Sequence, residues 1–91
     1  MKIKINGIEL ETRTLQTQSC PAGTAYWKIE YLHSDGSVIY TISSNAIYGQ
    51  PSPLAALDWS HEISPRVFEN GEWKRELHRE SLLRALEQVV F

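Results

Sequence analysis

The stretch AYWKIEYLHSDGSVIYTIS, residues 25–43, decides the fold. Aromatic and β-branched residues alternate with polar ones on both sides of Asp35-Gly36, a pair that favours a tight turn between antiparallel strands. A two-residue turn at this pair predicts the cross-strand pairs His33–Val38, Leu32–Ile39, Tyr31–Tyr40 and Ile29–Ile42. One face of the hairpin then carries large apolar side chains, and we expect other elements to cover it because an exposed apolar patch is a liability.

A second hairpin precedes this one, in MKIKINGIEL at residues 1–10. Asn6-Gly7 is the preferred pair for a type I′ turn, because both central residues need a positive φ. The turn predicts the register Ile5–Ile8, Lys4–Glu9, Ile3–Leu10 and Lys2–Glu11. One face then collects apolar residues for a core, and the other collects opposite-charge pairs that each contribute up to about 1 kcal/mol.

The segments that flank the central hairpin predict loops. QTQSCPAGT, residues 16–24, has no hydrophobic periodicity and contains a proline and a glycine. SNAIYGQPSP, residues 44–53, leads from the hairpin to a short helix that we expect over residues 53–62. Ser52 is suited to cap that helix and Pro53 to occupy its first position.

RVFENGEWK, residues 66–74, contains a further Asn-Gly pair and predicts a third hairpin. A two-residue turn places Phe68 opposite Trp73, which is a favourable aromatic pair. The same register places Glu69 opposite Glu72, and like charges in that position are destabilising.

The end of the chain predicts a helix that begins at about Glu76. Apolar residues recur there at helical spacing: Leu82, Leu83, Leu86, Val89 and Val90. Glu80 and Arg84 are four residues apart and are expected to form a supporting ion pair.

These elements predict one α+β domain over residues 1–91. In it, antiparallel β-hairpins form a twisted sheet, and the short middle helix and the C-terminal helix pack on it. A length of 91 residues is that of a single small domain.

Composition excludes several classes of protein. The formal net charge is −2, so the chain has neither a basic nor an acidic excess that would mark a nucleic-acid binder or a mimic of one. A single cysteine excludes an intramolecular disulfide. Met1 leads directly into a charged strand, and no apolar run approaches the length of a membrane span, so we expect a cytoplasmic protein without membrane contact. No motif for a cofactor or a metal is present, and we expect none.

Two sets of residues are candidates for chemistry. Cys20 could act as a nucleophile with His33, His61 or His78, which would make the chain a small Cys/His enzyme. No charge cluster in the neighbouring sequence would lower its pKa, so an ordinary loop thiol is the favoured interpretation.

The sequence DWSHE places Asp58, His61 and Glu62 on one side of the middle helix. Such a cluster could bind a metal or act as an acid and base. It matches no established metal-ligand spacing, so a solvated helix end is favoured.

Basic residues surround the aromatic pair of the third hairpin: Arg66, Lys74, Arg75, His78 and Arg79. Basic and aromatic residues together can bind single-stranded nucleic acid. An equal number of glutamates is interleaved with the basic residues, so the sequence does not favour this alternative.

The favoured hypothesis is a non-enzymatic protein-interaction module. A small chain of this layout is typical of phage or mobile-element accessory proteins that act as an inhibitor or adaptor on a larger host partner. The partner-binding residues are predicted to be Ile47, Tyr48, Glu72, Trp73 and Lys74, because loops that carry aromatic residues often make protein contacts. The apolar C-terminal helix could also form a homodimer.

Overall fold

The structure is a computed structural model that describes residues 1–60, 67–69, 71–74 and 76–89, without the side chains of residues 21, 67–69 and 72–74. The strands are β1 (Lys2–Ile5), β2 (Ile8–Ser19), β3 (Thr24–Leu32), β4 (Val38–Ser43), β5 (Ile47–Tyr48), β6 (Val67–Glu69) and β7 (Glu72–Lys74). The helix α1 spans His78–Leu86, and the 3-10 helices span Pro21–Gly23 and Ala55–Asp58.

The main sheet has five antiparallel strands in the order β1-β2-β3-β4, with β5 paired to β3 beyond the end of β4. β6 and β7 form a separate two-stranded sheet. This confirms the predicted α+β class, with antiparallel hairpins, one C-terminal helix and a short helical turn in the middle of the chain.

The first hairpin has the predicted register from end to end, with Ile5 opposite Ile8 and Lys2 opposite Glu11. Asn6 and Gly7 have φ values of 49° and 80°, as a type I′ turn requires. The ion pair does not follow the backbone register. Lys2 lies opposite Glu11, but its side chain pairs with the diagonal residue Glu9 at 3.6 Å.

The register of the central hairpin is as predicted from Tyr31–Tyr40 outward, but it is wrong next to the turn. Leu32 lies opposite Val38 instead of Ile39, because a bulge shifts the register. Only Gly36 of the turn has a positive φ, at 92°, whereas a type I′ turn would require one at Asp35 as well. The Asp35 carboxylate instead accepts hydrogen bonds from the N–H and hydroxyl of Ser37, at 2.9 and 2.6 Å.

The loop predicted over residues 16–24 is also wrong for most of its length. β2 continues to Ser19 and β3 begins at Thr24, so only the short 3-10 helix and Cys20 connect them. The tight reversal is possible because Ala22 and Gly23 have φ values of 65° and 77°. Pairing with β3 therefore imposes a strand on a polar segment that has no periodicity of its own.

The middle helix is shorter than the predicted range of residues 53–62. It is a single 3-10 turn, and Trp59 already has extended backbone angles, with φ −77° and ψ 146°. The N–H of His78 donates to the Trp59 carbonyl at 2.9 Å, which ties the chain there to the start of α1. The Ser52 hydroxyl accepts a long hydrogen bond of 3.4 Å from the Ala55 N–H. Ser52 therefore makes only a weak version of the predicted capping contact.

α1 begins at His78, two residues later than predicted. The Glu80 carboxylate accepts a hydrogen bond from the Leu77 N–H at 3.2 Å and so stabilises the start of the helix. Arg84 pairs with Glu76 at 2.7 Å instead of with Glu80. The predicted helical residue Val90 lies outside the described residues.

The core lies between the main sheet and the 3-10 helix Ala55–Asp58 together with α1, which we call the helical layer. Its buried members are Ile3, Ile5, Leu10, Ile29, Tyr31, Ile42, Ala56, Leu57, Leu82 and Leu86. The Tyr31 hydroxyl donates to the Pro53 carbonyl at 2.5 Å, and burial raises the pKa of this phenol above its usual value. We call the side of the main sheet that contacts this core the covered face.

The molecule is flat. Its principal extents are 40 × 38 × 18 Å, and its radius of gyration of 14.0 Å exceeds the roughly 12 Å expected of a compact chain of this length. These dimensions fit one sheet with a helical layer on a single side. In the described residues no helix has the length and apolarity to cross a bilayer.

Candidate functional site

The side of the main sheet opposite the core, which we call the open face, is defined by the strand register. Residues that lie opposite each other in neighbouring strands share a face, and faces alternate along a strand. The open face therefore includes Arg13, Leu15, Tyr26, Lys28, Glu30, Leu32, Val38, Thr41, Ser43 and Tyr48. It carries four large exposed apolar side chains, whereas the covered face contains the core.

Tyr48 is the most exposed of these side chains, at 75%. β5 places it opposite Thr24, and its ring lies over Gly23, where an added methyl group would be 3.6 Å from the ring. Ile47 is half-buried, because it points to the opposite side of the same short strand, next to buried Ala25. The two residues predicted together therefore lie on different faces.

Leu15 and Tyr26 extend this exposed surface along β2 and β3. Leu15 lies opposite Lys28, so Tyr26, two residues earlier in β3, is its diagonal neighbour on the same face. They are 41% and 39% exposed. Tyr48 is in turn diagonal to Tyr26 through Thr24. We call the row of Leu15, Tyr26 and Tyr48 the tyrosine stripe.

An ion pair borders the tyrosine stripe. The Arg13 guanidinium donates from Nε and Nη2 to one Glu30 carboxylate oxygen, both at 2.8 Å. The Glu30 side chain is only 9% exposed, so it needs this partner, whereas Arg13 is 55% exposed. The pair neutralises most of the local charge and leaves Lys28 as the cation beside the stripe.

A shallow pocket of about 300 Å³ lies at the other end of the open face. It is lined by Lys2, Glu9, Glu11, Leu32, His33, Ser34 and Gly36. Its charged groups are already compensated, since Lys2 pairs with Glu9 and the amino terminus with Glu11 at 2.9 Å. The hydrogen bond from the amino terminus lowers the pKa of the Glu11 carboxyl. Because Lys2, Glu9 and Glu11 are already paired, the pocket offers no strong site for a small ion.

His33 forms one wall of that pocket, and its side chain is 14% exposed. Its Nδ1 accepts a hydrogen bond from the Asp35 N–H at 3.2 Å. Hydrogen bonds from the Ser37 hydroxyl and N–H lower the pKa of the Asp35 carboxyl. These contacts organise the turn between β3 and β4.

Among the described residues, the structure assembles no nucleophile site around Cys20, and the predicted partner His61 lies outside them. Cys20 is half-buried at the end of β2, and its N–H donates to the Thr24 carbonyl at 2.9 Å. His33 is engaged at the turn at the opposite end of β3, and His78 at the start of α1. Among the described residues, no three His, Cys, Asp or Glu side chains are placed to hold a metal ion.

The predicted Asp58, His61 and Glu62 cluster is described only at Asp58. This carboxylate pairs with Arg79 of α1 at 3.1 Å. His61 and Glu62 lie outside the described residues. The contact at Asp58 joins the middle 3-10 helix to α1.

A polar cluster holds α1 against β4. The Tyr40 hydroxyl and His78 Nδ1 are 2.7 Å apart, and their rings meet edge to face with centroids 5.9 Å apart. Burial raises the pKa of Tyr40, while a hydrogen bond with Ser81 opposes that rise. His78 and Arg79, two of the basic residues considered for nucleic-acid binding, are thus engaged within the chain.

Glu72, Trp73 and Lys74, the other predicted partner-binding residues, lie in β7. The backbone register pairs Phe68 with Trp73, which is the predicted third hairpin. The side chains of these three residues lie outside the described part of the chain, as do Arg66 and Arg75. The hairpin belongs to a sheet separate from the one that carries Tyr48.

The sequence prediction missed Leu15 and Tyr26. Leu15 directly precedes the segment predicted as a loop, and its pairing with β3 was not predicted. Tyr26 alternates with Lys28 and Glu30 on the face of β3 that was predicted to be polar. A partial signal was present in ETRTL, residues 11–15, where threonine alternates with other residues ahead of a single leucine. In a polar strand, a single leucine such as Leu15 is expected on a face that is exposed to solvent.

Comparison with known proteins identifies no relative of this chain. No family model matches the chain, and neither a curated protein nor a solved structure matches it.

Proposed function

We propose that this chain is a non-enzymatic protein-interaction module that binds a larger protein through the tyrosine stripe. The observation that carries the proposal is the exposure of Leu15, Tyr26 and Tyr48 in one row on the open face, at 41%, 39% and 75%. Adaptor or inhibitor activity, a phage or mobile-element origin and a cytoplasmic location stay predictions.

The chemistry of the stripe supports a protein partner. Tyrosine combines a large apolar ring with a hydroxyl that tolerates water, and it is enriched in protein interfaces. Tyr26 lies on a central strand and Tyr48 on a strand paired to it, so both are presented by a rigid sheet. A rigid aromatic anchor loses little side-chain entropy on binding, which favours affinity.

A nucleic-acid partner is the alternative, since tyrosines on an open sheet can also stack bases. Phosphate binding requires uncompensated positive charge near the stripe. Arg13 is paired with Glu30 at 2.8 Å, so Lys28 is the cation that remains beside the stripe, and the whole chain carries a net charge of −2. The charges therefore favour a protein partner.

Affinity capture from a lysate of the native host tests the proposal, with quantitative mass spectrometry at low and high salt and after nuclease treatment. The test variant is the double substitution Tyr26→Ser and Tyr48→Ser. The matched control is Leu54→Ser, because Leu54 is 44% exposed and lies beside the helical layer and away from the open face.

We expect the wild-type chain and the control to retain the same protein through nuclease and salt. The double variant should lose at least about 2 kcal/mol of binding free energy, roughly thirtyfold in affinity, as interface tyrosines commonly do. Capture that the double variant retains in full would contradict the proposal. Capture that nuclease abolishes would favour the nucleic-acid alternative.

A further inference from the structure

Lys28 lies in β3, in the interior of the open face, beside two members of the tyrosine stripe. Its neighbours across the strands are Leu15 in β2 and Ser43 in β4. Tyr26 precedes it by two residues and therefore lies next to it on the same face. The lysine is half-buried, which fits an aliphatic stem that lies against this surface and an ammonium group that reaches water.

No carboxylate of the described residues forms an ion pair with Lys28. Glu30 follows it on the same face of β3, but one Glu30 oxygen already accepts two hydrogen bonds from Arg13, both at 2.8 Å. Leu15 and Ser43, which lie opposite Lys28, carry no charge. Within the part of the chain that the structure describes, the Lys28 ammonium is thus left to the solvent.

A protein that covers the tyrosine stripe also covers Lys28. A standard interface takes about 800 Å² from each partner, which is far more than one tyrosine provides. Lys28 lies next to both Leu15 and Tyr26, so it falls within such a footprint. Removing an unpaired ammonium group from water is costly, whereas a carboxylate within hydrogen-bond distance offsets that cost. A partner without an anion at this point would therefore bind weakly.

We propose that the partner places the carboxylate of an aspartate or glutamate on the Lys28 ammonium, beside apolar side chains that pack on the tyrosine stripe. This inference rests on the proposed function and specifies the chemistry of the partner. A carboxylate carries the single negative charge that one lysine balances, whereas a phosphate group carries nearly two. Arg13 offers no second anion site, because the nearly buried Glu30 side chain needs it as a partner.

The position of Lys28 also makes the site selective. A basic side chain at the same point would meet Lys28 as a like charge, and a neutral one would leave the ammonium group unpaired. A purely acidic segment would lack the apolar contacts that the tyrosine stripe offers. The site therefore favours a mixed acidic and apolar segment over a purely apolar or a purely acidic one.

A display library of short random peptides, selected on the immobilised full chain, tests the proposal. The selection is repeated on the double variant Tyr26→Ser and Tyr48→Ser. Peptides that bind the wild-type chain and lose binding to the double variant are synthesised as stripe-dependent probes. We expect these probes to carry an aspartate or glutamate among aliphatic or aromatic residues, and their affinities are measured by isothermal titration calorimetry.

Lys28→Met removes the charge and keeps an unbranched apolar side chain. It should weaken the stripe-dependent probes at least about tenfold, because the carboxylate of the probe is then buried without a partner. A probe whose acidic residue is replaced by lysine should lose binding to the wild-type chain and regain it with Lys28→Glu.

Lys4→Met is the matched control. Lys4 is an exposed cation on the same face, in β1 and away from the stripe, and it forms no ion pair with a described residue. The substitution changes the net charge by the same amount, so the probe affinity should stay within about twofold of the wild-type value. Circular dichroism should show the same fold for every variant.

The outcomes separate this inference from the function on which it rests. Stripe-dependent probes that lack acidic residues, or that bind Lys28→Met as tightly as the wild-type chain, would overturn the inference and leave the proposed function intact. An equal loss in Lys4→Met would also overturn it, since the attraction would then follow net charge alone. A selection that yields no stripe-dependent probe would contradict the proposed function, and this inference would fall with it.

Discussion

The two faces of the main sheet come from the same alternating strands and have opposite surroundings. On the covered face, Ile29 and Tyr31 are fully buried, and the helical layer packs on them. On the open face, Leu15 and Tyr48 are 41% and 75% exposed. The comparison indicates that the covered face holds most of the core, so substitutions at the exposed positions of the open face should cost the fold little.

The largest difference between the faces should appear on truncating a leucine. Leu82→Ala removes a fully buried side chain of α1 and should lower the free energy of unfolding by about 2–5 kcal/mol. Leu15→Ala makes the same change on the open face, at a position that is 41% exposed, and its effect should stay within about 0.5 kcal/mol. Urea unfolding of both variants measures the contrast, and equal losses would refute the burial assigned to α1.

A tyrosine on each face allows a sharper comparison. Tyr31→Phe removes the hydrogen bond to the Pro53 carbonyl inside the core and should lower the free energy of unfolding by about 1–3 kcal/mol. Tyr26→Phe, on the open face, should have almost no effect, because water replaces its hydroxyl contacts. Urea unfolding of both variants measures this difference. A Tyr31→Phe variant with the same free energy of unfolding as the wild-type chain would contradict the buried hydrogen bond.

The covered face should also make stability sensitive to alkaline pH. Burial raises the pKa of Tyr31 and Tyr40 above the value near 10 of an unfolded chain. The folded state thus holds these protons more tightly, and this contribution is complete below about pH 10 and declines as the pH rises above it. Unfolding titrations on either side of this pH should show falling stability with a shallower slope in Tyr31→Phe, and an identical slope would disprove the effect.

The smallest effect on stability is expected at the tyrosine stripe. Tyr48→Ser should change the free energy of unfolding by no more than about 0.5 kcal/mol, because its ring contacts Gly23 and is otherwise exposed. Thermal and urea unfolding test this directly. A large loss of stability would mean that Tyr48 supports the fold, and the exposure of Tyr48 would then no longer support its proposed role in binding.

The turns show how far the sequence alone predicts the register. Asn6-Gly7 permits a positive φ at both residues, so the first hairpin is predicted in full. Asp35-Gly36 resembles it in sequence, but the Asp35 carboxylate binds Ser37 and only the glycine has a positive φ. The Asp35–Ser37 hydrogen bond competes with the type I′ turn geometry. The register next to the turn therefore differs from the predicted one, and Val38 lies in an exposed position.

Tertiary pairing explains the remaining differences. Gln16 and Ser19 are in a strand because β3 pairs with them, and their own composition does not specify it. The pairing of β2 with β3 was also not predicted, which left Leu15 out of the candidate site, although Tyr48 was predicted and is highly exposed. Ile47 was predicted with it, yet strand alternation turns Ile47 to the other side.

Nitration of the four tyrosines with tetranitromethane tests the two-face arrangement most directly. The reagent attacks accessible phenolates, so peptide mass spectrometry of the native chain should find Tyr48 and then Tyr26 modified, with Tyr31 protected and Tyr40 slow. All four should react alike in urea. Native-state nitration of Tyr31 as fast as Tyr48, or protection of Tyr48, would contradict the assignment of a covered and an open face.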